Sequence, residues 1–386
     1  MKAKAYVIAL WVLLWFGVAT IWVEGRWAAS VLEAGIFGLS AAAMFQRGPI
    51  RWHWALGILT AIAAWGVVQR AFHWTLAPAQ TEWAILYWLA AACFVGLGLA
   101  TGRESFLSGL LWFGAAMSAL ALAQLYTSKG QILWFIPTHE DDRIFGVFPN
   151  YNNYAAFIEL LFPLALWRTL KSRRNWWIYA AVASVMFGSV IASTSRAGTA
   201  LVTLELAAVP LLAMRRDAAK QRSGARLLLI VTGVMAFTLV AGPQAVWQRL
   251  WQPDPYALRR EFLESAMAMV RARPLTGFGL GTWTTAYPAY AVADFGVIAN
   301  HAHCEWGQWA AEGGLGVVAL MAALFVLALR SGIKCVWSIG LTAVMIHACV
   351  DYPLVRLGLG SWWFAMLGAA IGRSPKNRDS PQPARE

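Results

Sequence analysis

The stretch ANHAHCEWGQWAAEGGL, residues 299–315, carries the chain from a long polar loop into an apolar helix. It sets His301 and His303 at the mouth of a membrane span, where an ionisable side chain is unfavourable unless it has a partner or a task. Outward from it the same pattern recurs: apolar runs of about 17 to 21 residues, long enough to cross a bilayer as helices, separated by polar connections. They fall near 5–23, 28–46, 53–70, 83–101, 106–126, 153–168, 176–194, 197–214, 226–243, 304–329, 333–350 and 357–372. Of the 386 residues, 59% are hydrophobic and only 13% are charged, against roughly 25% charged in soluble domains. Mean hydropathy is +0.55. The expectation is an all-α polytopic membrane protein of about twelve spans with one long external loop carrying short helices.

Three regions follow: N-terminal helices over 1–126, read as scaffold; a second transmembrane region over 127–372 that contains the long loop 244–302; and a tail, 373–386. Lys2 and Lys4 precede the first run, but that run is long for a signal peptide and Val23-Glu24-Gly25-Arg26 offers no small-residue cleavage site, so it is read as an anchor. An even number of spans puts both termini on one side. Most of the 31 basic residues, among them Arg168, Lys171, Arg173, Arg174, Arg215, Arg216 and Lys220, then fall on the side of the termini, which the positive-inside rule makes cytoplasmic. The net charge of +12 is thus mostly topology and needs no nucleic-acid partner. Cys93, Cys304, Cys335 and Cys349 have no CxxC spacing and read as small apolar residues.

The polar groups that stand out lie on the opposite, outer side. His139-Glu140-Asp141-Asp142-Arg143 is a solvated run or, less simply, a divalent-cation site. Asn150 or Asn152 suits the cap of the sixth span. In Ser193-Thr194-Ser195-Arg196-Ala197-Gly198, Arg196 stands at the positive end of a helix dipole; either it snorkels to the interface or an anion lies there among the amides, hydroxyls and guanidinium. Tyr256–Ala272 reads as an amphipathic helix whose apolar arc is Phe262, Leu263, Ala266 and Val270; Arg259 falls in that arc and points inward, whereas Arg260 falls on the polar side. Gly277-Phe278-Gly279-Leu280-Gly281 lacks the strand and Lys-Ser/Thr of a nucleotide loop and reads as a turn folding back on the membrane. The tenth span is expected to start at His303, with Gly307, Ala310 and Gly314 on its packing face. His347 and Asp351, at i and i+4, suit a structural hydrogen bond. Among the first five spans Glu33 is the one buried-looking acid, and a hydrogen bond within the bundle suits it.

Two guanidiniums suit a diphosphate, and a histidine titrating near neutrality suits a base for a hydroxyl. A lipid-linked diphosphate sugar joins both to a membrane setting. At this point GVFPNYNNYAAFIEL (146–160), the STSRAG turn, the run from Arg259 through RPLTGFGLGTW (273–283), NHAHCEWGQWAAEGGLG (300–316) and HACVDYPL (347–354) make the chain resemble the O-antigen ligase and polymerase superfamily of bacterial membrane glycosyltransferases. The resemblance spans about 145–355. It implies that Arg196 and Arg259 contact the donor diphosphate and that His303 is the activating base, with Arg196 also catalytic. His301, Arg260, Arg143, His347 and Asp351 are secondary candidates.

The resemblance further implies inversion at the anomeric carbon, no metal and no cofactor. It implies an undecaprenyl diphosphate-linked glycan donor and a site facing the periplasm from the bacterial inner membrane. The acceptor stays open between lipid A core, a growing glycan (polymerase) and a protein hydroxyl (O-oligosaccharyltransferase). Cys304 departs from the family, which usually has a small polar residue, commonly Asn, there. A transporter of a lipid-linked or anionic substrate is the rival from another class; the absence of an internal repeat or of a matched pair of broken spans speaks against it.

Overall fold

In a computed structural model, residues 3–47, 52–101, 103–137, 144–214, 226, 229–233, 257–292 and 299–372 are described. The chain is helical: α1 (Ala3–Ala19), α2 (Arg26–Arg47), α3 (Trp54–Ala71), α4 (Pro78–Ala100), α5 (Arg103–Thr127), α6 (Tyr151–Lys171), α7 (Trp176–Ser193), α8 (Arg196–Met214), α9 (Ala257–Ala272), α10 (Trp283–Ala286), α11 (Glu305–Lys334), α12 (Gly340–His347) and α13 (Leu357–Ile371). Seven of the described helices, α2–α5, α7, α8 and α11, are long and apolar enough to cross a membrane; α1, the segment Val336–His347 and α13 are apolar but shorter. The expected ninth span lies mostly outside the described residues, as do His139–Asp142, Arg143 and the tail.

The helix boundaries follow local chemistry. Asn150 caps α6 by accepting from the Asn152 and Asn153 amides at 2.8 and 3.4 Å. Ser195 caps α8 through the Gly198 amide at 3.2 Å, after Thr194 turns the chain at φ 60°. Glu33 bonds Arg26 on its own helix at 2.5 Å.

Two helices form the centre. In α6 every residue from Asn152 to Leu166 is buried, and in α13 every residue from Leu357 to Ala370. Both are apolar around most of their circumference, the pattern of a helix enclosed by others. α6 packs on α7, α8 and α12, and α13 on α4 and α1. The α4–α13 approach needs glycine on both sides: a Cβ at Gly98 would stand 2.2 Å from the Ala365 carbonyl oxygen, and one at Gly368 2.2 Å from that of Val95.

The region around residues 299–350 departs from the expected spans. The tenth helix begins at Glu305 rather than at His303, which sits before it at φ 49°. It then breaks at Gly314 (φ 75°, ψ 177°) and continues to Lys334. Small residues do seat a neighbour: a Cβ at Gly307 would meet the Leu263 and Ala266 side chains of α9 at 3.4 and 3.5 Å. His303 is off that helical face altogether. The eleventh span is a short 3-10 turn, Val336–Ser338, followed by α12.

The break is locked by side chains from α3. Trp65 Nε1 donates to the Gly313 carbonyl at 2.9 Å, Gln69 Nε2 to the Glu312 carbonyl at 2.9 Å, and the Leu315 amide bonds the Pro274 carbonyl at 2.9 Å. Gly314 lies in a region open essentially to glycine alone, and a Cβ there would stand 2.2 Å from the Leu275 carbonyl oxygen. Gly314→Ala should therefore lower the thermal unfolding midpoint in detergent, by the equivalent of ~1–3 kcal/mol from the backbone alone. An unchanged midpoint would show that the break is not held by this conformation.

Candidate functional site

The site is built at one end of the bundle, where α6, α8, α11 and α13 start, α12 ends and α9 lies across. Three connections tie these elements together. Asn152 Oδ1 accepts from Ser195 Oγ at 2.8 Å, joining the start of α6 to the turn that carries Arg196. Asn150 Nδ2 donates to the Tyr352 hydroxyl at 2.9 Å, joining α6 to the segment after α12. The Glu305 amide bonds the carbonyls of Ala348 and Asp351 at 2.8 and 3.2 Å, fixing the start of α11 to that segment.

Asp351 stands at the centre. Its side chain is 1% exposed, and its two carboxylate oxygens are used differently. Oδ2 pairs with Arg259 Nη2 of α9 at 3.1 Å. Oδ1 accepts from the Tyr352 amide at 2.9 Å and faces His303 Nδ1 at 3.8 Å. Arg259 is half-buried and Arg260 exposed, the arrangement expected of a helix with Arg259 in its inward arc. The arc itself is centred differently: Phe262, Ala266, Met269 and Val270 are buried, whereas Leu263 is 40% exposed.

The two histidines separate clearly. The His303 ring lies against Phe262, with centroids 5.7 Å apart and planes 13° apart, and meets the Tyr352 edge at 4.9 Å. His301 packs on Tyr352 at 4.1 Å. Burial pushes the His303 imidazole below its ordinary range; the Asp351 carboxylate opposes that shift and the Arg259 cation adds to it. Burial pushes His301 further, to about 3, with Arg356 and His303 contributing. Both imidazoles are neutral at neutral pH, but only His303 has an ion-pairing contact to a carboxylate among the described residues.

His347 and Asp351 do not pair through their side chains. His347 Nδ1 instead bonds Glu159 of α6 at 2.8 and 3.1 Å, in a fully buried contact. Asp351, although its amide still bonds the His347 carbonyl at 3.1 Å, turns its side chain toward Arg259. Glu159 was silent in the sequence reading, as were Glu205, Glu305 and Glu312, all buried. The signal that finds them is an acid inside an apolar run.

Gly277–Gly281 is a turn that folds back, and amides at its end and just after it hold the side chain of Glu312. Gly281 N and Trp283 N donate to the Glu312 carboxylate at 2.9 and 3.1 Å, and Gln308 Nε2 adds a third bond at 3.0 Å. Gln308 Oε1 in turn accepts from the Ala302 amide at 3.2 Å, between the two histidines. Cys304 precedes α11 without a side-chain capping bond, and burial raises its thiol. None of the four cysteines forms a disulfide, and no cluster suited to a metal ion occurs among the described residues.

Glu312 takes three hydrogen bonds at once, so it braces the histidine loop from behind. Glu312→Ala should speed amide hydrogen exchange at Gly281 and Trp283 by at least about tenfold. Unaltered exchange there would mean that the turn holds its shape without the carboxylate.

Compared with known proteins, residues 181–324 match the family model described as O-Antigen ligase. The matched segment runs from within α7 into α11 and contains Arg196, Arg259, His301 and His303. No curated protein matches the chain.

Proposed function

We propose, from the match of residues 181–324 to the family model described as O-Antigen ligase, that this protein is a bacterial membrane enzyme that transfers a glycan from a polyprenyl diphosphate to an acceptor hydroxyl. The observation that carries the reading is the carboxylate of Asp351, which touches both the cation and the imidazole such a reaction needs. His303 takes the proton from the acceptor O–H. The acceptor oxygen forms a bond to the anomeric carbon as the carbon–oxygen bond to the diphosphate breaks. The electron pair leaves with the polyprenyl diphosphate, whose charge Arg196 and Arg259 stabilise. A single displacement of this kind inverts the anomeric centre, and two guanidiniums supply the anion stabilisation without calling on a metal.

His303 Nδ1 faces Asp351, which leaves Nε2 for the acceptor and favours the charged imidazolium that forms during transfer. Because its resting pKa is lowered, the base is free of a proton at the working pH. The charge asymmetry of the connections supports a periplasmic site in the inner membrane with both termini in the cytoplasm. An O-antigen ligase-like role is the preferred assignment; a polysaccharide polymerase or a protein O-oligosaccharyltransferase would use the same constellation with a different acceptor. The broken α11 is a feature that transporters also use. Here the backbone groups freed by the break are bonded by Trp65, Gln69 and Pro274, which leaves them little to offer a transported ion.

In a purified-protein transfer assay, His303→Ala should lower turnover by about 10²–10⁴-fold, and Arg259→Ala should lose far more activity than Arg260→Ala. Wild-type turnover by His303→Ala, or the reverse order of the arginines, would contradict the mechanism. The acidic limb of the rate should also have its midpoint below the ordinary imidazole pKa of 6.5, since a depressed imidazole pKa delays protonation to lower pH. An acidic midpoint above 6.5 would contradict the assignment of His303 as the base.

A further inference from the structure

Beside the first helices lies an open cavity of about 660 Å³, lined by α1, α2, α4, the Gly281–Thr284 turn, the Asn300–His301 loop, the first turns of α11 and the chain from Leu354 to Gly358. It adjoins the site just described. His301 and His303 both contact the Tyr352 ring, and of the two only His301 lines the cavity. The segment that lines it, Leu354–Arg356, follows Asp351 and Tyr352 directly.

The lining is mixed in a particular way. Trp83, 48% exposed, lines it with an indole over which Arg26 lies at 5.8 Å; Asn300 brings an amide that can donate and accept, and Gln80 one that already bonds Thr284 and Thr285. Arg26 also lines the cavity, but its charge is taken by Glu33 at 2.5 Å. Arg356 is half-buried and has no ion-pair partner among the described residues. His301 Nδ1 is buried and has no hydrogen-bond partner among them. An aromatic face beside amides suits a sugar ring, whose hydroxyls need partners and whose C–H face stacks on aromatics. A free guanidinium adds a place for an anion, which it binds in bidentate fashion.

We infer that this cavity is the acceptor site, and that it takes a sugar unit carrying an anionic substituent, with that substituent on Arg356 and the ring against Trp83. The inference rests on the glycosyl-transfer reading for the word acceptor. The occupancy of the cavity by an anionic sugar stands or falls by itself. The proposed donor contacts Arg196 and Arg259 and the base His303 lie within the family-matched segment 181–324. The cavity walls from α1, α2, α4 and Leu354–Gly358 lie outside it, whereas Leu280, Gly281, Thr284, Asn300, His301 and the first turns of α11 lie within it. The cavity thus draws on both parts of the molecule, with Trp83 and Arg356 supplied from outside the matched segment.

Saturation-transfer NMR on the detergent-solubilised full chain tests this, with glucuronate and N-acetylglucosamine 6-phosphate as probes and N-acetylglucosamine as the neutral control. Both anionic sugars should receive saturation, binding about tenfold more tightly than the neutral one. Arg356→Ala should abolish that preference, Arg356→Lys should retain part of it, and Trp83→Ala should weaken all three sugars. His303→Ala should leave the binding unchanged while transfer is lost. Equal binding of neutral and anionic sugars, or a preference that survives in Arg356→Ala, would overturn the proposed site. If the sugars bind as described but His303→Ala still transfers glycan, the catalytic reading fails and the cavity stands. Arg356→Lys controls for folding, because it keeps the charge and most of the side-chain volume.

Discussion

A carboxylate withdrawn from water has to be compensated where it lies, and the Asp351 side chain is 1% exposed. Its compensation comes from two directions, a guanidinium on α9 and the backbone amide of Tyr352, and the imidazole that precedes α11 faces it at 3.8 Å. Breaking a fully buried pair costs about 3–5 kcal/mol; here the figure is smaller, because the Arg259 side chain is 25% exposed. What the pair supplies beyond stability is position. A helix that otherwise only lies across the bundle is pinned at one end to the segment that also holds the histidine.

The supports around it act on the same small region. His347 is anchored to Glu159, the Asp351 carbonyl to the Glu305 amide, and Tyr352 to Asn150. From the other side, Glu312 gathers the glycine turn and, through Gln308, the Ala302 amide. His303 accordingly keeps a left-handed backbone conformation, φ 49°, unusual for a residue with a β-carbon. Such a conformation persists when its surroundings over-determine it, and here bonded residues lie on both sides of it.

Much of this was legible in the sequence, and the parts that were not have physical reasons. Apolar runs place the helices well, because a span must satisfy its own backbone and cannot hide its length. The inward turn of Arg259 was legible because helical phase fixes direction. The cap at Asn150 was legible because an amide before an apolar run has few other uses. The start of α11 was not: Cys304 and His303 are locally compatible with a helix, and what ends it is the bonding of the Glu305 amide to the carbonyls of Ala348 and Asp351, far along the chain, information that no window contains. The partner of His347 was lost for the same reason, since i, i+4 spacing suggests Asp351 while the fold offers Glu159. The N-terminal helices read as plain wall because cavity linings need only a few polar residues, and Arg26 on α2 with Gln80 and Trp83 on α4 form no motif.

The central claim is that Asp351 makes one unit of the donor-side cation and the base. A double-mutant cycle in the transfer assay addresses it most directly, comparing Asp351→Asn, Arg259→Ala and the two combined. If the carboxylate acts through Arg259, the double variant should lose little more activity than the worse single one, a strongly non-additive result. Losses that multiply independently would show that the two residues serve the reaction separately, and that the contact at 3.1 Å is structural only.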